Sequence, residues 1–306
     1  ARAIPRLSQL ANDESAAPIW RATAMEALGQ AGGREATQTM AALLYHDDSI
    51  IRTSTVRSLQ FLSLPQRYQL LTPLIDDPIM AVRMEVATSL AGVPLDQIDP
   101  KEADRLRALF KEYLAVQEQH ADMPGVLMQL GLFHSSRGDA PAAERAYREA
   151  LELNHQLVAA YLNLADLLRA QGRDEEAREL LLKALAVAPD NGNTLHALGL
   201  LETRSEDPAR ALDYLGRAAA LETRGTRHRF VYAIALHDLG QPRKALVELN
   251  RLNRLVPGDE QVLLALANYS AELGEWSQAR SHADKLVKLA PQNPNYQQLQ
   301  QSFQGK

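Results

Sequence analysis

The sequence predicts an all-α chain, built of consecutive helical hairpins stacked into an α-α solenoid. Two internal rulers and a composition predict it. A 34-residue ruler laid from Pro124 fits the C-terminal half without slippage, with units starting at Pro124, Val158, Gly192, Thr226 and Glu260. The eighth position of each unit is Gly131, Ala165, Gly199, Ala233 or Ala267, and the twentieth is Ala143, Ala177, Ala211, Ala245 or Ala279. A 31-residue ruler fits residues 1–95, bringing Arg21, Arg52 and Arg83 into phase, with Leu28, Leu59 and Leu90 likewise. Alanine and leucine dominate and aromatic residues make up only 5%, which favours helix over sheet. Units of this length cannot bury an apolar face alone, so neighbours must share the burial.

In the N-terminal block each phased arginine follows a bulky apolar residue (Trp20, Ile51, Val82) and opens a helix after an acidic turn. Those turns hold Asp13-Glu14, Asp47-Asp48 and Asp76-Asp77-Pro78, and the first unit carries a small insertion near Ala16-Ala17-Pro18. The pattern resembles short HEAT-like repeats, about three of them. A guanidinium beside such turns is expected to reach carboxylates or carbonyls of its own or the adjacent unit, forming a ladder. Residues 92–100 end the block. Lys101 to His120 then predicts one amphipathic helix, with Leu106, Leu109, Phe110, Tyr113, Leu114 and Val116 on its apolar face. Residues 96–122 are expected to bridge the two repeat blocks.

Within the 34-residue units two helices flank a tight turn. Unit two shows this plainly: a helix from Val158 to Ala170, a turn through Gly172, a second helix to Val187, then Pro189. Gly138, Gly172, Gly240 and Gly274 share one phase, where the first helix ends and a left-handed residue is required. Unit three has Glu206 there, followed by Asp207-Pro208, so its turn is expected to differ. Small residues at the eighth and twentieth positions let the paired helices approach closely, while Tyr147, Leu181, Leu215 and Leu249 fill the space beside them. Residues 123–293 resemble five tetratricopeptide repeats. His155 and Thr223 stand where proline is usual, and the large aromatic residue often found early in the unit occurs only as Tyr161. Residues 294–306, with Tyr296, Leu299 and Phe303, predict a capping helix with a polar back.

Chemistry is sparse. There is no nucleophile elbow, no phosphate-cradling glycine loop and no H-E-x-x-H motif. No two of the eight histidines lie three or four residues apart, and His46 beside Asp47-Asp48 is the nearest approach to a metal cluster. The chain has no cysteine, hence no thiolate ligand, disulfide or haem attachment in these residues. A non-catalytic chain without catalytic residues, metal or cofactor is expected. A net charge of −5 argues against a general nucleic-acid binder. No apolar run approaches the roughly 18 residues of a membrane span. Starting at Ala1 without a signal-like segment, the sequence is expected to be a processed or trimmed piece of something longer.

The resemblance to tetratricopeptide repeats implies a scaffold that binds a protein or peptide in the groove lined by the first helix of each unit. Projecting the ruler puts on that wall Gln129 and Leu132, then Asn163, Asp166 and Arg169, then His196 and Leu200, then Arg227, Phe230, Ile234 and His237, and finally Asn268. Asn163 and Asn268 could read a peptide backbone, and Leu200, Phe230 and Ile234 could take an apolar anchor. The lysine-and-asparagine arrangement by which some family members grip a terminal carboxylate is not visible. Unit four is locally basic: Arg224, Arg227, Arg229, Arg243, Lys244, Arg251 and Arg254 stand against only Asp238 and Glu248, which could steer an acidic partner.

The strings Ala143-Glu144-Arg145-Ala146-Tyr147, Asn163-Leu164-Ala165-Asp166-Leu167 and His196-Ala197-Leu198-Gly199-Leu200 are similar to the C-terminal repeat region of bacterial multihaem c-type cytochromes. That likeness implies an alternative function, the docking region of an electron-transfer protein whose haem domain lies outside this chain. It also implies a periplasmic location, with the cytoplasm as the alternative.

Overall fold

A computed structural model describes residues 3–205, 207–222 and 226–306. Ala1, Glu206, Thr223 and Arg224, which entered the sequence reading, lie outside the described residues. Every regular element among the described residues is helical, and the chain divides into two compact units, Ala1–His155 and Gln156–Lys306.

The first unit holds α1 (Ala3–Asn12), α2 (Pro18–Ala31), α3 (Arg34–Leu43), α4 (Ser49–Ser58), α5 (Leu64–Leu71), α6 (Met80–Leu90), α7 (Pro100–Glu118), α8 (Pro124–Ser136) and α9 (Ala140–Leu153). Its core is one apolar cluster that includes Met25, Leu28, Ile51, Leu59, Val86, Leu90, Leu106 and Phe133. The phased arginines form the expected ladder. Arg21 is buried and donates through Nε to the Ala11 carbonyl at 2.9 Å. Arg52 grips both carboxylate oxygens of Asp77 at 2.8 and 2.9 Å and donates to the His46 and Asp47 carbonyls. Arg83 repeats the pattern one helix on, with Glu112 at 3.0 and 2.5 Å and the Asp77 carbonyl at 2.7 Å. Burial by itself would raise the Asp77 carboxyl, but the Arg52 hydrogen bonds, the Ile79 N–H and the charges of Arg52 and Arg83 hold it below the ordinary value. His46 serves its turn: its Nδ1 accepts the Asp48 N–H at 3.0 Å.

Helix α7 buries Leu106, Leu109, Phe110 and Tyr113. Phe133 of α8 meets Phe110 edge-on with centroids 5.4 Å apart and stacks on Tyr113 at 4.6 Å. Arg137 lies over the Phe110 ring and donates to the Ala91 and Val93 carbonyls, both at 2.8 Å. These contacts tie the first 34-residue hairpin to the N-terminal block. The first compact unit accordingly includes this hairpin and ends at His155.

The second unit holds α10 (Val158–Ala170), α11 (Asp174–Val187), α12 (Gly192–Arg204), α13 (Pro208–Leu221), α14 (Arg227–Asp238), α15 (Pro242–Leu255), α16 (Glu260–Glu272), α17 (Trp276–Leu289) and α18 (Pro294–Ser302). Consecutive pairs pack as hairpins. Gly172, Gly240 and Gly274 take φ of 76°, 78° and 73° at the hairpin turns, the left-handed conformation their phase requires. Asn191, Asp207 and Asp259 cap α12, α13 and α16 by accepting backbone N–H groups at 2.9, 3.1 and 3.0 Å. Helix α14 is capped from a distance: Glu222 accepts the His228 and Arg229 N–H groups at 3.0 and 3.2 Å. Leu299 and Phe303 pack with Trp276 against Ala267, Ala279 and Ala283, so α18 lies over the last hairpin.

Candidate functional site

The close approach that small residues permit on one side of each hairpin leaves the opposite stripe of its first helix open. On α10 that stripe runs Asn163, Asp166, Arg169, and on α12 it runs Asn193, His196, Leu200, at helical spacings of three and four. The two stripes, with Arg227 at the start of α14, line one groove of about 340 Å³. Ala165 and Leu201, with Ala177 and Leu181 of α11, form its base.

The groove is polar at the rim and apolar at its base, with one large apolar side chain exposed beside the polar groups. Asp166 and Arg169 pair along α10 at 3.4 Å. Asn163, Asn193 and Arg227 make no side-chain hydrogen bond or ion pair with any described residue, which leaves two amides and a guanidinium to face a ligand. Leu200 is 42% exposed, a large apolar side chain held in the open. His196 is buried, its Nδ1 has no hydrogen-bond partner, and its ring lies 5.0 Å from that of His228. Burial, together with the charges of His228 and Arg227, pushes His196 down to about 4, so the ring is neutral at physiological pH.

Six of the wall residues read from the sequence thus converge, and six do not. Phe230 and Ile234 are half-buried against the cluster of Ala233, Leu236, Leu249 and Leu266 and do not line this groove. His237 stacks flat on Tyr269 with centroids 3.6 Å apart and meets Glu272 at 2.5 Å through Nε2 and Asp238 at 3.0 Å through Nδ1. Its burial disfavours the charged ring, but these two carboxylates outweigh that and raise its pKa. Asn268 is half-buried on α16 and does not line the groove. Leu132 is exposed on α8, in the first unit. Gln129, also on α8, lines a different groove of about 420 Å³ with Arg57, Met84, Glu85, Thr88, Tyr113 and Gln117. Asn193 is not among the residues that the ruler projects onto the wall, although it sits one turn ahead of His196 and Ala197 on the same stripe.

Of the basic residues of unit four, Arg229 is tied to Glu248 and the Ala219 carbonyl, and Arg251 to Glu248. No helix among the described residues is long and apolar enough to cross a membrane.

Tetratricopeptide-repeat family models match residues 122–190, 156–224 and 226–251, which supports reading this stretch of the chain as tetratricopeptide repeats. The fold generally mediates protein–protein interaction, and its members are generally non-catalytic scaffolds. The chain is 26% identical over 149 residues to anaphase-promoting complex subunit 3 of Schizosaccharomyces pombe, covering 49% of this chain and 22% of that protein. It is 30% identical over 109 residues to the photosystem I assembly protein Ycf3 of Rippkaea orientalis, covering 31% and 62%. It therefore spans less than two thirds of either relative. Among solved structures, YrrB, a TPR protein with an unusual peptide-binding site, aligns with 23% identity over 61% of this chain and 97% of that one, at a TM-score of 0.49.

Proposed function

We propose that this chain is a non-catalytic scaffold whose α10–α12–α14 groove binds a segment of a partner protein. One observation carries this: two amides and a guanidinium, unpaired among the described residues, surround a single exposed leucine in one concave site. Amides both donate and accept, so Asn163 and Asn193 suit the backbone of an extended segment. Arg227 suits a carboxylate on it, and Leu200 receives an apolar side chain. Asn163→Ala combined with Arg227→Ala is expected to lower capture of the partner from extracts of the source cell by at least about tenfold, equal to some 1.4 kcal/mol. The helical circular dichroism should not change, because neither side chain packs in a core. Undiminished capture would remove the groove from the binding surface. Phe230 is a poor test residue, since its loss would weaken the core first.

Residues 1–95 we read as HEAT-like repeats, on the strength of the arginine ladder at a 31-residue spacing. The alternative of a docking region for a multihaem protein gains nothing from the similar proteins. It would be decided by whether the native reading frame upstream encodes haem-attachment motifs.

A further inference from the structure

In the first unit α2, α4 and α6 lie side by side and run in the same direction. Thr55 donates to the Met25 sulfur at 2.9 Å, Gln60 to Ser89 Oγ at 3.3 Å, and Arg57 pairs with Glu85. The bonded residues are 30, 29 and 28 positions apart, close to one repeat, so equivalent turns of successive helices meet. The N-terminal ends of the three helices therefore fall on one edge.

That edge is apolar and exposed. Ile19, Ile50 and Met80, one from each helix start, are 67%, 54% and 51% exposed, and Trp20, Tyr45 and Ile79 join them. The arginines of the same turns point away from it: Arg21 and Arg52 are buried, and Arg83 is taken up by Glu112 and the Asp77 carbonyl. Asp13, Glu14 and Asp47 remain on the outside, Asp76 is already paired with Arg105, and the first lysine of the chain is Lys101. Apolar side chains set among the carboxylates of Asp13, Glu14 and Asp47, with Arg21, Arg52 and Arg83 withdrawn, complement a ligand that is apolar and cationic.

We propose that this edge docks a basic amphipathic helix from a partner protein, with one apolar residue per heptad seated on Ile19, Ile50 and Met80 in turn. Spacing selects the helix. Packed helices lie about 8–10 Å apart, and seven residues of an α-helix rise about 10.5 Å. A helix laid across the edge thus returns the same face to each apolar start, while the lysines and arginines between reach Glu14 and Asp47. This surface is independent of the α10–α12–α14 groove and stands whether or not that groove binds.

Trp20 supplies the readout. A synthetic three-heptad peptide with leucines on one face and lysines among alanines elsewhere is titrated into the full chain. Saturable binding with a blue shift of the tryptophan emission is expected, and the shift should vanish in Trp20→Phe, which leaves Trp276 as the remaining tryptophan. Ile19→Ser with Ile50→Ser should weaken it at least about tenfold without loss of helicity, because both side chains are on the surface. A peptide of the same composition with its leucines scrambled should be weaker to the same degree. Absence of binding, equal binding of the scrambled peptide, or equal binding to the double variant would overturn the proposal. So would preference for a peptide with glutamate in place of lysine. A protein that is dimeric alone and becomes monomeric on Ile50→Ser would overturn it too, giving the edge to a second copy.

Discussion

Gly131 of α8 shows how tightly the repeat constrains its small positions. A Cβ built there would lie 2.3 Å from Cε1, 2.5 Å from Cδ1 and 2.8 Å from Cζ of Tyr147. Carbon atoms in contact sit about 3.5–4.0 Å apart, so the ring must retreat by roughly 1 Å. Tyr147 is among the largest fully buried side chains and has nowhere to retreat cheaply. Overpacking of this kind costs about 1–3 kcal/mol, while replacing a helical glycine by alanine returns about 1 kcal/mol of backbone entropy. Gly131→Ala is therefore expected to destabilise by about 1 kcal/mol net. At Gly125, on the same helix, an added Cβ would meet nothing within 4 Å, so Gly125→Ala should be neutral or stabilising. Urea unfolding followed by far-ultraviolet circular dichroism compares the two. In a double-mutant cycle, Tyr147→Leu should relieve Gly131→Ala, since an alanine facing a leucine is the pairing unit two uses at Ala165 and Leu181. Gly131→Ala as stable as Gly125→Ala, or no coupling to Tyr147→Leu, would refute the steric account.

Two further outcomes concern charge. Arg52→Met leaves the buried Asp77 carboxylate without its guanidinium and should cost about 3–5 kcal/mol, whereas Arg52→Met with Asp77→Leu should cost much less; denaturant midpoints decide. Because the Asp77 carboxyl is held below its ordinary value, the ion pair stabilises above the usual carboxylate range and its advantage disappears as pH falls through the folded-state value. His196 has the same pH direction for the opposite chemical reason. Its ring titrates near 6.5 when unfolded and at about 4 when folded, so the unfolded chain binds the proton first, and stability declines as pH falls from 6.5 towards 4, by on the order of 3 kcal/mol. Buried His282 is also shifted down and adds to the slope. Comparing the wild type with His196→Leu over this window isolates the His196 part, and parallel curves would contradict it.

The hairpin boundaries were legible because they rest on local rules. A left-handed glycine must stand at Gly172, Gly240 and Gly274 wherever the rest of the chain goes, and the unit without one shows Asp207-Pro208 where α13 begins. The same ruler located Asn163, Asp166 and Arg169, since polar residues at a spacing of three on an otherwise apolar helix can face only outward. It could not orient α14. Phe230, Val231, Tyr232, Ile234 and Leu236 are apolar round most of that helix, so periodicity offers no preferred face, and packing leaves Phe230 and Ile234 half-buried against the core. His237 escaped for a different reason: Tyr269 and Glu272 arrive from the next hairpin, and a ruler that aligns equivalent positions does not show which non-equivalent ones touch.

The N-terminal block sharpens that point. Trp20, Ile51 and Val82 share one phase, yet Ile51 and Val82 are fully buried while Trp20 is 63% exposed. Equivalence of phase dictates where a residue sits on its own helix, but burial depends on what its neighbours place against it. Helices α2, α4 and α6 each start three residues before their arginine, at Pro18, Ser49 and Met80. Trp20 thus holds the same place on its helix as Ile51 and Val82 and differs only in what packs against it. A repeat sequence therefore predicts its helices more faithfully than its surface. The 34-residue ruler did place Leu200 on the groove wall, but Ile19, Trp20 and Ile50 on the turn edge are exposed apolar residues that the 31-residue pattern by itself assigns equally well to the core.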